Sequence, residues 1–199
     1  MTTLRFGLTY DYLCPFARNA NEHVVAALRA GAAWDVDVRP FSLTQAKAAE
    51  AGDVRWDAPA ALRRSGVLAL AVAEVVRERA PDRFLDVHLE LFALRHDRAE
   101  DLRDPDRVAA ALSRAGAPTV LVDAAEDGLE PLRSTHEGLV AREVWGVPTF
   151  LGAQRGVFVR LLDRPGDDGD VSRERIERIV RLVDDEPMLH EFKQVDLPR

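Results

Sequence analysis

The sequence predicts an α/β fold in which an opening strand–helix–strand unit is separated by a long helical segment from a closing hairpin and helix. Three observations carry this. Period-2 alternation flanks a helical pattern in the first 42 residues, no strand pattern interrupts 43–128, and two short apolar runs precede a final amphipathic stretch.

Leu4, Phe6, Leu8 and Tyr10 alternate with Arg5, Gly7 and Thr9, the side-chain period of a strand. From Pro15 the spacing becomes helical. Phe16, Ala20, Val24, Ala27 and Leu28 share a face, Pro15 suits a first turn where its missing N–H costs nothing, and Gly31 is placed to close the helix. Trp34, Val36 and Val38 then alternate with Asp35, Asp37 and Arg39, a second strand leading to Pro40-Phe41. Crossovers of this kind are right-handed, so the two strands are expected to lie parallel in one sheet.

Over 43–128, Gly, Pro and Asp divide a series of helical stripes. Leu62, Leu70, Ala73 and Val76 stop at Pro81, and Phe84, Val87, Leu91 and Phe92 form the next stripe. Asp104-Pro105 opens a helix that Gly116 closes, and another is expected from Pro118. Leu132, His136, Leu139, Val140 and Val144 continue at helical spacing to Trp145-Gly146, with Pro148 as terminator. Thr149-Phe150-Leu151 and 156–162 read as a hairpin around Gly152-Ala153-Gln154-Arg155. A polar loop at 163–170 leads to Ile176, Ile179, Val180 and Val183, a last amphipathic helix with Ser172 as its expected cap.

A chain of 199 residues with 47% hydrophobic and 31% charged content can bury one substantial core. The expected organisation is one domain formed by 1–42 and 129–199, with 43–128 inserted. A net charge of -7 and a pI near 5.3 argue against nucleic acid or an anionic membrane as partner, since both are bound by neutralising phosphates with Lys and Arg. Residues 1–9 lack the features of a signal peptide and no segment approaches the ~18 apolar residues of a membrane span, so a cytoplasmic location is expected. The single cysteine excludes an intramolecular disulfide, and His23, His88, His96 and His136 offer no metal-ligand spacing. Apolar helix faces in the insertion suit either a core or a subunit interface, which leaves a homodimer open.

Two motifs carry chemistry. Cys14-Pro15-Phe16-Ala17 stands where a strand hands over to a helix, and unpaired N–H groups with the positive end of the helix dipole favour an anion there. The Cys14 thiol is therefore expected to titrate below its usual ~8.5. Arg18, about one turn on, is a candidate to pair with the thiolate or a substrate carboxylate. Asp11, Tyr12 and Asn19 also flank the thiol. The second motif, Trp145-Gly146-Val147-Pro148-Thr149-Phe150, sets a proline between a helix and a strand.

In this order, over nearly the whole chain, these elements resemble the DsbA-like branch of the thioredoxin superfamily. The resemblance implies a thioredoxin-like fold with the helical insertion between the second strand and the helix preceding the proline strand. It implies Cys14 as nucleophile, Pro148 in the cis form beside it, and a substrate groove shaped by Pro15, Phe16, Ala17, Arg18, Val147 and Pro148. Members of the family carry a second cysteine where this chain has Ala17. The expected activity is therefore thiol–disulfide oxidoreduction by a monothiol route, in which a mixed disulfide on Cys14 is released by an external thiol. Glutathione or mycothiol would serve as co-substrate, with no tightly bound cofactor, and the partners would be a disulfide-containing protein or a small thiol. Two alternatives stand beside this reading. One is an enzyme like the kappa-class glutathione transferases and 2-hydroxychromene-2-carboxylate isomerases; the other is a redox-inactive binding module.

Overall fold

The computed structural model describes residues 3–186 and Met188; the end of the 129–199 unit, residues 189–199, lies outside the described residues. The chain opens with strand β1 (Leu4–Tyr10), helix α1 (Pro15–Arg29) and strand β2 (Trp34–Pro40). β1 and β2 pair in parallel along their whole length, from Leu4 beside Trp34 to Tyr10 beside Pro40. Gly31, at φ +91°, supplies the left-handed residue that turns the chain after α1.

The insertion holds α2 (Leu43–Glu50), α3 (Val67–Arg79), α4 (Phe84–His96) and α5 (Pro105–Arg114). α3 is apolar nearly all round and is buried accordingly, every residue from Val67 to Ala73 together with Val75 and Val76. The helix begins only at Val67, so Leu62 falls in the preceding turn rather than on its stripe; Gly66, at φ +78°, makes the bend. The helix expected from Pro118 is instead a pair of 3-10 turns, Thr119–Val122 and Ala125–Gly128. The second turn crosses α3 so closely that a Cβ on Gly128 would stand 2.0 Å from the Ala71 carbonyl oxygen.

Helix α6 (Leu129–Val140) ends before Pro148 is reached. Glu143 adopts φ +61° and Val144 N–H returns to the Leu139 carbonyl at 3.0 Å, so a left-handed turn closes the helix. Strands β3 (Thr149–Leu151) and β4 (Gly156–Phe158) form the expected hairpin, and the sheet order is β2-β1-β3-β4. β4 stops at Phe158, short of 162, because β3 offers only three residues to pair with. Helix α7 (Gly169–Asp185) is capped by Asp168, whose side chain accepts from Asp170 N–H, and not by Ser172. Ser172 lies inside the helix, where its hydroxyl meets His23 Nδ1 at 2.9 Å.

Two cores hold the layers together. Phe6, Leu8 and Phe150 of the sheet pack with Ala20 and Val24 of α1 and Ile176, Val180 and Val183 of α7. Tyr10, Tyr12, Val38 and Leu151 join the larger core of the insertion helices. The sheet is thus covered on both faces, as the expected thioredoxin-like fold with a helical insertion requires.

Candidate active site around Cys14

β1 and β3 are antiparallel neighbours, with Leu8 opposite Phe150 and Gly7 opposite Leu151. The C-terminal end of β1 therefore lies beside the N-terminal end of β3, which brings Cys14 to Val147 and Pro148 across 133 residues of sequence. Thr149 fixes the approach: its N–H donates to Thr9 Oγ1 and its hydroxyl to the Gly146 carbonyl, each at 2.8 Å. The Val147–Pro148 bond is cis.

Cys14 is the N-cap of α1, in extended conformation at φ -97° and ψ 116°. Its sulfur accepts from Ala17 N–H at 3.4 Å, and its thiol donates to the Val147 carbonyl at 3.3 Å. The site overturns the expectation of a lowered thiol pKa. Burial pushes the Cys14 thiol up; N–H groups of Ala17 and Phe16 oppose it, the Asp11 carboxylate adds to it, and Arg160 opposes it. Desolvation of the anion outweighs the helix terminus.

Asp11 lies near the thiol and is fully buried. Its carboxylate accepts from Leu13 N–H at 2.8 Å and Leu43 N–H at 2.7 Å, tying the Cys14 turn to the start of α2. Burial nevertheless raises its pKa to about 6, the two N–H groups offsetting only part of the effect.

Of the groove residues expected from sequence, Pro15 is exposed, Phe16 half-buried, and Ala17, Val147 and Pro148 buried. Arg18 is also buried, and its guanidinium is committed elsewhere: Nε to Glu22 at 2.8 Å and Nη2 to Asp97 at 2.6 Å. Arg164 completes this quartet at 2.6 Å from Glu22 and 3.6 Å from Asp97. The expected pairing of Arg18 with the thiolate is thus replaced by a structural ion network linking α1, the end of α4 and the segment after the hairpin.

The cation at the thiol is Arg160, which sequence reasoning missed because it fell within the expected strand 156–162, where nothing marks a side chain as reaching Cys14. Its guanidinium lies 5.6 Å from the Phe16 ring centroid and 5.5 Å from that of Phe158. Trp145, 70% exposed, packs on Phe158 with ring centroids 4.6 Å apart. A cleft of about 640 Å³ between the hairpin and α7 includes Trp145 and Phe158 but neither Cys14 nor Pro148.

The buried histidines His23, His88 and His136 serve packing. His88 is fully buried, with Nδ1 3.0 Å from Tyr12 Oη and Nε2 3.0 Å from Asn21 Oδ1, and burial lowers its pKa to about 3. His136 accepts from Ser42 N–H at 3.2 Å, and burial lowers its pKa to about 4. His23 bridges α1 to Ser172 and Arg175 of α7. Among the described residues no group of His, Cys, Asp or Glu is arranged to hold a metal ion.

No protein-family model matches the chain, and no curated protein matches it by sequence. Solved structures do match its fold. A periplasmic thioredoxin-like protein from Salmonella enterica serovar Typhimurium superimposes with TM-score 0.60 at 18% identity, over 89% of this chain and 84% of that one. ScsC from Proteus mirabilis gives 0.60 at 16%, over 90% and 82%. The cytosolic disulfide reductase DsbM from Pseudomonas aeruginosa, solved with GSH, gives 0.60 at 16%, over 90% and 100%. At these identities the likeness establishes the shared thioredoxin-like fold.

Proposed function

We propose that this protein is a thiol–disulfide oxidoreductase that works through Cys14 alone. The observation that carries the reading is the placement of Cys14 at the N-cap of α1, its sulfur 3.3 Å from the Val147 carbonyl beside Pro148. The Cys14 thiolate attacks one sulfur of a disulfide RS–SR′, forming Cys14–S–S–R and releasing R′S⁻. A second thiolate R″S⁻ then attacks the R sulfur, giving R–S–S–R″ and restoring Cys14. Electrons balance without a second cysteine in the chain, and the external thiol is the reductant.

Pro15, Phe16 and Val147-Pro148 form the groove in this reading, and Ala17 supplies an N–H rather than a resolving thiol. The co-substrate is a low-molecular-weight thiol such as glutathione or mycothiol, and the partner a disulfide-bearing protein or small molecule. A cytoplasmic location belongs to the same proposal, since a reducing compartment provides that thiol. No helix among the described residues is long and apolar enough to cross a membrane.

The test is incubation with glutathione disulfide followed by intact-mass measurement. One glutathione adduct on the wild-type chain, absent from Cys14→Ser and removed by added thiol, is the expected result. A second reading, a binding module without redox turnover, is favoured by the upward-shifted thiol and by Ala17. It predicts no adduct and unchanged partner binding in Cys14→Ser.

A further inference from the structure

Arg160 differs from the other arginines near the thiol. Arg18 and Arg164 are neutralised by Glu22 and Asp97, whereas Arg160 has no carboxylate partner among the described residues. Its backbone is nevertheless held on both sides. Val159 N–H donates to the Pro148 carbonyl at 3.1 Å, and Asn19 of α1 donates from Nδ2 to the Leu161 carbonyl at 2.8 Å. The residue is therefore tied to both walls of the site, the Pro148 turn and the first helix. Its exposed side chain lies against Phe16, two residues from Cys14, and against Phe158.

We propose that Arg160 is a specificity-determining residue that draws carboxylate-bearing thiols and disulfides to Cys14 in preference to neutral ones. This rests on the oxidoreductase reading and names its substrate class. A cation held by two backbone anchors and aromatic faces keeps its charge available for a ligand, because no carboxylate among the described residues pairs with it. Glutathione carries two carboxylates; mycothiol carries none, so the charge separates the two co-substrates. In the step concerned, the Cys14 thiolate attacks glutathione disulfide, forming Cys14–S–S–glutathione and releasing glutathione thiolate.

The test compares second-order rates of adduct formation with glutathione disulfide and with neutral hydroxyethyl disulfide, read by intact mass. Removing the cation also alters the thiolate population, but equally for both reagents, so the ratio of rates isolates recognition. Arg160→Met is expected to lower the anionic-to-neutral ratio at least about threefold at low salt, the effect of two unit charges ~6 Å apart in water. Arg160→Lys should retain most of the ratio, and high salt should shrink it in the wild type. An unchanged ratio in Arg160→Met, with both reagents still reacting, overturns this inference and leaves the oxidoreductase reading standing. Absence of any adduct in the wild type overturns both.

Discussion

Asp11→Asn removes a buried charge from the neighbourhood of the thiol, and its effect on stability can be worked out from the structure. Folded, the carboxyl titrates at about 6; its ordinary value is 3.8. Between these values the folded state binds the proton more tightly than the unfolded chain does, so stability falls as pH rises through this window and levels off above it. A shift of about two units at ~1.36 kcal/mol each amounts to about 3 kcal/mol. Asparagine does not titrate, and its side-chain oxygen can accept from only one of the two sites now occupied by Leu13 and Leu43 N–H. Urea unfolding of both proteins from about pH 4 to about pH 8 tests this. The wild-type advantage over the variant should shrink by about 2–3 kcal/mol across the series, mostly below about pH 6. A constant difference would refute the argument that Asp11 is buried as a charge. The same substitution should move the Cys14 alkylation profile downward in pH, because Asp11 raises that thiol.

Wild-type Cys14 alkylation by iodoacetamide should show its inflection above the ~8.5 of an ordinary thiol; an inflection below it would mean that the helix terminus outweighs burial. His88→Ala should destabilise the fold by about 3–5 kcal/mol, through a cavity and two stranded polar partners, measured by thermal or urea unfolding. Gly128→Ala should cost more than about 3 kcal/mol in the same assay, because its Cβ would enter the α3 backbone. Gly138→Ala, within α6 with nothing within 4 Å, should instead gain up to about 1 kcal/mol.

What was legible in the sequence is what local patterning specifies. The alternation of Leu4 to Tyr10 and of Trp34 to Val38 marks strands, and the Cys14-Pro15 junction marks a helix start because Pro15 tolerates a first turn. The boundaries that shifted were settled by tertiary contacts. Ser172 and Asp168 both have cap chemistry, but His23 engages Ser172 and leaves the cap to Asp168. Within the site, the same limit applies. The dipole argument for Cys14 uses only its own helix, whereas its burial depends on the approach of the Val147-Pro148 turn. Arg18 looked available because its spacing to Cys14 is visible, while Asp97 and Arg164, which bind up the same network, are remote in sequence. Arg160 reaches the thiol through contacts remote in sequence, the Val159–Pro148 and Asn19–Leu161 hydrogen bonds and the Phe16 ring.

Ala17 sets how many oxidising equivalents the chain can hold. A site with two cysteines stores an electron-pair vacancy as its own disulfide, whereas here the residue whose N–H meets the Cys14 sulfur has only a methyl group. An isolated monomer therefore has no internal disulfide form, and in the proposed cycle each attack of Cys14 on a disulfide leaves it covalently joined to its substrate until a second thiol releases it. Under the proposed chemistry the native chain behaves as its own trapping variant: withholding the small thiol preserves the covalent complex, and the molecule attached to Cys14 identifies the substrate.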